Sequence, residues 1–356
     1  MNATQEKKMK PKVGWLLFFI TLGVVFLLGM LAASITQRRA EISSVMNNKK
    51  VEIKGIESRS EIFGENYPSE YETWTKTKDT TFKSEFNSSN SVDVLAQRPE
   101  MVILWAGYDF AKDYSTPRGH FHAIEDVRQT LRTGAPMAAT DGPQPATCWT
   151  CKSPDVPRMM NKLGIDAFYK GTWASLGNEI VNPIGCADCH EPKNMNLQIS
   201  RPGLMEAYKN MGKDITKATP NEMRSLVCAQ CHVEYYFNKE TKYLIFPWHK
   251  GTTMEAAEAY YDSIKFYDYE HKLSKAHIIK AQHPDFEIFQ TGIHAQRGVS
   301  CADCHMPYIS KGGIKYSDHQ VRSPLASINN TCQVCHRETE ETLRNAVFER
   351  QRKGNE

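Results

Sequence analysis

Neither charge dominates this chain: 44 Lys and Arg stand against 41 Asp and Glu, for a formal net charge of +3. That balance gives no argument for a nucleic-acid partner or an anionic lipid surface. The motifs described below recur at no fixed period, which excludes a solenoid of stacked repeats. Long apolar runs are scarce too, since only Val13 to Ile35 is uncharged and long enough to cross a bilayer as a helix. Nor is any cysteine left over once the pairs below are counted.

All 10 cysteines fall in Cys-x-x-Cys pairs: CWTCK at 148–152, CADCH at 186–190, CAQCH at 228–232, CADCH at 301–305 and CQVCH at 332–336. Cys-x-x-Cys-His attaches c-type haem, because the two thiols add across the porphyrin vinyl groups while the adjacent imidazole reaches the iron. Structural zinc or disulfides are the competing readings. Neither gives a reason for His190, His232, His305 and His336 to follow their pairs so regularly. The pairs Cys148/Cys151, Cys186/Cys189, Cys228/Cys231, Cys301/Cys304 and Cys332/Cys335 therefore predict five covalent c-type haems, with porphyrin making up much of the core.

One motif ends in Lys152 instead of histidine. An amine has a reference pKa of about 10.4 and must lose its proton to bind iron, which the metal's own charge enforces at short range. A chain that only passes electrons has little use for one odd site, whereas a catalyst needs one iron with an open position. The alternative is that Lys152 is an ordinary surface lysine. Outside the motifs stand His120, His122, His249, His271, His277, His283, His294 and His319, an ample supply of second ligands.

Lys7, Lys8, Lys10 and Lys12 precede the apolar run and Arg38 and Arg39 follow it, the pattern of an export signal or an uncleaved anchor. Ala32 and Ser34 would suit a signal peptidase, but the length favours an anchor. Either way the remainder is exported to the periplasm or cell envelope, where c-type haem is attached. We divide the chain into this segment (1–36), a Ser-, Thr-, Lys- and Glu-rich stalk and surface-wrapping segment (37–97) and a pentahaem domain (98–356).

Within the last, Met101 to Ala111 and Phe121 to Thr133 read as helices, the second closed by Gly134. Thr219, Pro220 and Glu222 form a capping box that starts a helix carrying CAQCH. Thr252 and Glu255 suggest a helix start leading into Met254 to Phe266. Val233 to Phe237 and Tyr243 to Phe246 flank Asn238 to Lys242 as a short hairpin. A last helix runs from about Cys332 to Arg352. The fold class is mainly α, a multihaem cytochrome c fold with a haem-packed core, a short β-hairpin and few strands.

From about Glu61 to Arg337 the sequence resembles the pentahaem cytochrome c nitrite reductases that form ammonium. The likeness rests on RPEMVILWAGYDFAKDY, RGHFHAIEDVRQTLRTGAP, CWTCKSPDVPR, CADCH, VCAQCHVEYYF, KAQHPDFE, TGIH and YSDH. It implies that Lys152 is the proximal ligand of the active haem and that Arg132, Tyr235 and His283 line its distal pocket. A guanidinium and an imidazole suit the oxygens of a small anion, and a tyrosine can relay protons. The resemblance also implies a Ca2+ site built from the side chains of Glu234 and Gln282 and the carbonyls of Tyr235 and Lys280, oxygen donors suited to a hard cation. It gives His319 to the haem of His190, His120 to that of His232 and His294 to that of His336.

The likeness implies a partner as well, a membrane-bound, quinol-oxidising multihaem cytochrome, with side activity on hydroxylamine and nitric oxide. In the family a long helical carboxy-terminal region supplies the distal histidine of the fourth haem and builds the homodimer interface. This sequence ends at Glu356, so a truncated frame or fragment is expected, with His249, His271 and His277 the remaining candidates opposite His305. Nitrite reduction to ammonium by six electrons is the function expected. The alternatives are a multihaem electron carrier or inactive fragment without turnover, or a reductase of another small anion such as sulfite.

Overall fold

The computed structural model describes residues 11–46, 49–86, 88–133 and 144–355. It divides into two compact units, Met1–Lys50 with Ser310–Lys315, and Val51–Ile309 with Tyr316–Glu356. In the first unit Pro11–Met46 is one continuous helix. Among the described residues its stretch Pro11–Ile42 alone is long and apolar enough to cross a membrane, with a mean hydropathy of 2.7. The Thr21 and Thr36 hydroxyls donate to the carbonyls of Leu17 and Ala32, four residues back. That is how a hydroxyl is carried in an apolar helix without an unpaired donor.

Short helices joined by tight turns, with small antiparallel hairpins, build the second unit. Helix Pro220–Ala229 starts at the expected capping box: Thr219 Oγ1 accepts from the Glu222 N–H at 3.2 Å and Glu222 Oε2 from the Thr219 N–H at 2.7 Å. The expected hairpin pairs Tyr236 with Ile245 and Phe237 with Leu244. Its turn is held by Asn238 Oδ1, which accepts from the N–H groups of Glu240 and Thr241, both at 2.9 Å. A second hairpin joins Tyr269–Glu270 to His277–Ile278.

The main core gathers Phe168, Tyr169, Leu204, Leu226, Phe246 and Trp248 around Trp149 and Trp173. These last two rings stack at 3.4 Å and are fully buried. Trp149 lies between Cys148 and Cys151, so this motif is built into the core through its own intervening residue. Phe63 and Trp74 are buried as well, and the Trp74 indole donates to the Ile184 carbonyl at 3.1 Å.

Several helix limits differ from expectation, each for a local reason. The helix after His122 ends at Gln129, short of Thr133, because the Leu131 N–H donates to Asp113 Oδ2 at 2.6 Å and leaves the helical ladder. Leu131 is left 78% exposed. Gly134, the expected stop, lies outside the described residues. Met101–Ala111 breaks after Leu104. Gly107 there has φ +102°, and a Cβ would stand 3.1 Å from the Glu270 carbonyl oxygen, so only glycine fits the turn. Thr253 caps helix Met254–Ser263 in place of Thr252. The last segment splits into a single turn, Cys332–Val334, and a helix, Glu340–Asn355.

Candidate functional site

Both CADCH motifs open short helices whose third residue is the motif aspartate. Asp188 Oδ2 accepts from the Gly185 N–H and Asp303 Oδ2 from the Ser300 N–H, each at 2.7 Å. The second oxygen of each then takes an arginine: Asp303 Oδ1 meets Arg224 Nη2 at 2.8 Å, and Asp188 pairs with Arg201. Arg201 is 2% exposed and also donates to the carbonyls of Thr150 at 3.2 Å and Ser153 at 2.8 Å. Gln230, inside CAQCH, donates to the Asp188 carbonyl at 3.0 Å and accepts from the Arg201 N–H at 3.1 Å. One buried arginine thus laces the first three motifs together.

The Cys301 N–H donates to Ser225 Oγ at 3.1 Å, on the helix that leads into CAQCH. Gln230 joins CAQCH to the second motif directly and to the first through Arg201, and Ser225 joins its helix to the fourth. CAQCH is therefore joined to the first, second and fourth motifs. None of the ten cysteines forms a disulfide.

The five motifs do not lie equally deep, and the last is the most exposed. Cys335 is exposed, whereas Cys332 and the other eight cysteines are partly buried. The reason is local: CQVCH makes only the single turn Cys332–Val334, closed by the Cys335 and His336 N–H groups donating to the Cys332 carbonyl at 3.1 and 2.8 Å. Its middle residue, Val334, is 72% exposed, so this motif has no counterpart to the Trp149 that draws CWTCK into the core. Cys332 faces inward and Cys335 outward, which places the fifth pair at the surface.

Histidine Nδ1 atoms show what the imidazoles are prepared to do. His190 Nδ1 bonds the Met195 carbonyl at 2.7 Å, His305 Nδ1 the Arg322 carbonyl at 2.9 Å and His319 Nδ1 the Ser317 carbonyl at 2.8 Å. A carbonyl can only accept, so Nδ1 carries the proton and Nε2 presents its lone pair, the form that binds a metal. A metal–imidazole bond of about 2.0 Å puts two coaxial rings on one iron roughly 6 Å apart. His190 and His319 have ring centres 6.2 Å apart, and His294 and His336 6.1 Å. These donors fit iron between them. His120 is half-buried, and desolvation holds its imidazole down to about 4, with His232, Lys152 and His305 adding to the effect. Gly119 lets this loop approach closely, since a Cβ there would overlap the Thr77 carbonyl oxygen.

The remaining histidines are engaged elsewhere. His122 and His271 each have both ring nitrogens in hydrogen bonds, His271 to the Ile103 carbonyl at 2.8 Å and Ser274 Oγ at 2.9 Å. His249 lies flat on Tyr260 at 4.5 Å and His277 on Tyr267 at 3.8 Å.

Around CWTCK the surroundings differ. Arg132, in a turn instead of the expected helix, donates to the Asp113 carbonyl at 2.8 Å and lies 4.4 Å over the Phe110 ring. Tyr235 and His283 have ring centres 5.5 Å apart. Burial pushes the Tyr235 phenol well up, so it stays a proton donor, and holds His283 down to about 4 with His232 and Lys152 adding to the effect. The His283 Nδ1 is buried without a hydrogen-bond partner, an atom prepared to bond a ligand. Tyr108, stacked on Phe110 at 5.3 Å and on Tyr269 at 4.7 Å, lies beside the same pocket.

Behind it lies a buried carboxylate cluster. Glu234 Oε2 accepts from the Gln282 N–H at 2.6 Å and its Oε1 from the Tyr261 hydroxyl at 3.0 Å. Glu287 Oε1 accepts from the Glu234 N–H at 3.0 Å and the Trp248 indole at 2.7 Å, while its Oε2 is buried without a partner. Burial pushes Glu234 up to about 7, opposed by those hydrogen bonds and reinforced by Asp268 and Glu287. The Lys280 amine, lowered to about 8 by burial, donates to Gln282 Oε1. Among the described residues no three His, Cys, Asp or Glu side chains converge as a metal cluster. The expected donors are instead one carboxylate, one amide and two carbonyls, all oxygen. An orphaned carboxylate oxygen beside a raised carboxyl fits a hard cation, whose charge would offset both.

Residues 59–356 match the cytochrome c552 family. The chain is 72% identical to a cytochrome c-552 of Parabacteroides distasonis over 351 residues, 99% of this chain and 71% of that protein. The chain belongs to the cytochrome c552 family. A cytochrome c-552 of Bacteroides fragilis is 69% identical over the same shares, and one of Desulfotalea psychrophila 49% over 90% of this chain and 64% of its own. Among solved structures, the cytochrome c nitrite reductase catalytic subunit of Desulfovibrio desulfuricans, described for the relevance of its two calcium sites, superimposes with a TM-score of 0.79. It is 34% identical and covers 85% of this chain and 69% of its own.

Arg201, Tyr108, Asp268 and Glu287 stand around the motifs without having been singled out in the sequence. The aspartate shared by both CADCH motifs was a readable sign that a distant arginine would be needed. For Tyr108 and Glu287 no such sign exists, because only the folded chain brings them to the pocket.

Proposed function

We propose that this chain reduces nitrite to ammonium, NO2− + 8 H+ + 6 e− → NH4+ + 2 H2O, at the haem of Cys148, Cys151 and Lys152. The observation that carries the reading is the lysine-ended motif beside Arg132, Tyr235 and His283. A haem there supplies an iron site that binds the anion and accepts electrons one at a time. Arg132, held by the Asp113 carbonyl and the Phe110 face, offers a fixed positive charge to nitrite. Burial keeps His283 neutral in the resting pocket, and an arriving anion favours its protonated form, so the imidazole can take up a proton and hand it on. Tyr235 keeps its proton and orients the oxygen being lost.

Four further haems, held by His190, His232, His305 and His336 with His319, His120 and His294 as distal ligands, relay the six electrons. CAQCH is the branch point because it is joined to the most neighbouring motifs. Ca2+ bound through Glu234, Gln282 and the carbonyls of Tyr235 and Lys280 stiffens the wall that carries Tyr235 and His283. Electrons come from a membrane-bound, quinol-oxidising multihaem cytochrome outside the cytoplasm, with Pro11–Ile42 as the anchor.

The test is ammonium formed per nitrite consumed by the haem-loaded chain with a strong one-electron donor. A ratio near one is expected. No ammonium from a chain carrying five haems, all six-coordinate and low-spin, would establish the electron-carrier alternative.

A further inference from the structure

His232 differs from the other motif histidines in what its second nitrogen meets. Whereas His190 and His305 donate to neutral carbonyls, His232 Nδ1 stands 3.0 Å from Oδ2 of the Asp285 carboxylate. The nearest carboxylate to His336, Glu338, is 3.8 Å away, beyond hydrogen-bond reach. Asp285 is held where it is by its own backbone. Its N–H donates to the His283 carbonyl at 2.7 Å, and the next N–H, of Phe286, donates to the His232 carbonyl at 3.1 Å. The segment His283-Pro284-Asp285 thus has one end in the pocket beside CWTCK and the other on an iron ligand of CAQCH.

We infer that Asp285 is a positioning residue that sets the reduction potential of the haem held by His232 while fixing His283 in the pocket. This rests on the multihaem reading above. A carboxylate that accepts from Nδ1–H draws that proton toward itself and leaves the imidazole more electron-rich at Nε2, which favours ferric over ferrous iron. The haem next to CWTCK is thereby made the stronger reductant of its neighbour. Asp285 exchanges no electron and keeps its charge throughout, so iron alone is reduced and reoxidised. Pro284 fixes φ between the two ends, coupling the placement of His283 to that of the carboxylate.

Haem content is measured first, by mass and by pyridine haemochrome, so that a missing haem at Cys228 and Cys231 counts against the multihaem reading and not against this inference. A spectroelectrochemical titration then compares the unaltered protein with Asp285→Asn, which keeps an acceptor for Nδ1 but removes the charge. One low-spin haem is expected to move positive by at least a tenfold change in its equilibrium, about 59 mV for one electron. Asp285→Glu should restore most of that shift. An unchanged set of potentials in Asp285→Asn with all haems attached overturns the inference, as does an equal shift of every haem. Should Asp285→Asn fail to mature, the ferric EPR spectrum of the unaltered protein decides: one low-spin haem is expected to show the narrowed g-spread of an electron-rich imidazole, and a common g-spread for all overturns the proposal.

Discussion

At CADCH 186–190 the motif imidazole faces a second one, His190 and His319 lying 6.2 Å apart with both Nδ1 atoms tied to carbonyls. At CWTCK 148–152 the surroundings are a guanidinium, a phenol and a neutral imidazole whose Nδ1 has no hydrogen-bond partner. The two motifs are sequence neighbours and share one buried support, Arg201, so the scaffold does not distinguish them. What distinguishes them is how the side chains opposite are finished. Where Nδ1 bonds a carbonyl, Nε2 is left with its lone pair free for a metal; where Nδ1 is unpaired, the pocket keeps one buried polar atom without a partner.

Breaking the shared support should have the largest effect. Arg201→Met leaves the buried Asp188 carboxylate unpaired, which costs about 3–5 kcal/mol. Thermal unfolding of the haem-loaded protein should show that loss, and haem yield should fall at the first three motifs together. Equal stability would mean that Arg201 is not what holds them. The comparison sharpens with Arg132→Met, which removes charge on the CWTCK side alone. Turnover of nitrite should fall about 10²–10³-fold, the usual effect of removing one preorganised donor, while the low-spin spectrum of the His-paired haems stays unchanged. A spectral change at those haems would show that the two regions are not separable.

How far the sequence could be read follows the range of the interactions. The capping box at Thr219 and the turn at Asn238 are settled within a few residues, and both were legible. The five motifs were legible for the same reason, but their depth was not: nothing in CQVCH itself says that Cys335 lies at the surface while CWTCK is drawn into the core. The helix expected to reach Thr133 was not legible either, because its end is set by Asp113, which lies 18 residues before Leu131. Asp285 on His232 spans 53 residues and Arg201 on Thr150 spans 51. No local pattern specifies such pairs. Arg132 and His283 were located only through resemblance, since an arginine at a helix end and a histidine before proline have ordinary explanations.

The smallest of these effects tests the scaffold beneath both motifs, where Asp155 joins the segment after CWTCK to the one before CADCH. It is 1% exposed, and its Oδ2 accepts from the N–H groups of Val181 and Asn182, both at 2.9 Å, and from the Asn182 amide at 3.0 Å. Burial alone would raise its pKa, but the Asn182 and Val181 donors outweigh it and hold the carboxyl below the usual 3.8. Its stabilisation is therefore complete above that value and is lost as pH falls through the lower folded pKa. Asp155→Asn turns an amide toward these donors and should cost about 1.5–3 kcal/mol near neutrality, the range for hydrogen bonds to a charged group. Denaturant unfolding at pH 7 and again at the lowest pH at which the protein still folds should show the gap between the two proteins closing with acid. A gap of constant size would mean that the side chain joins the two segments through its shape and not its charge.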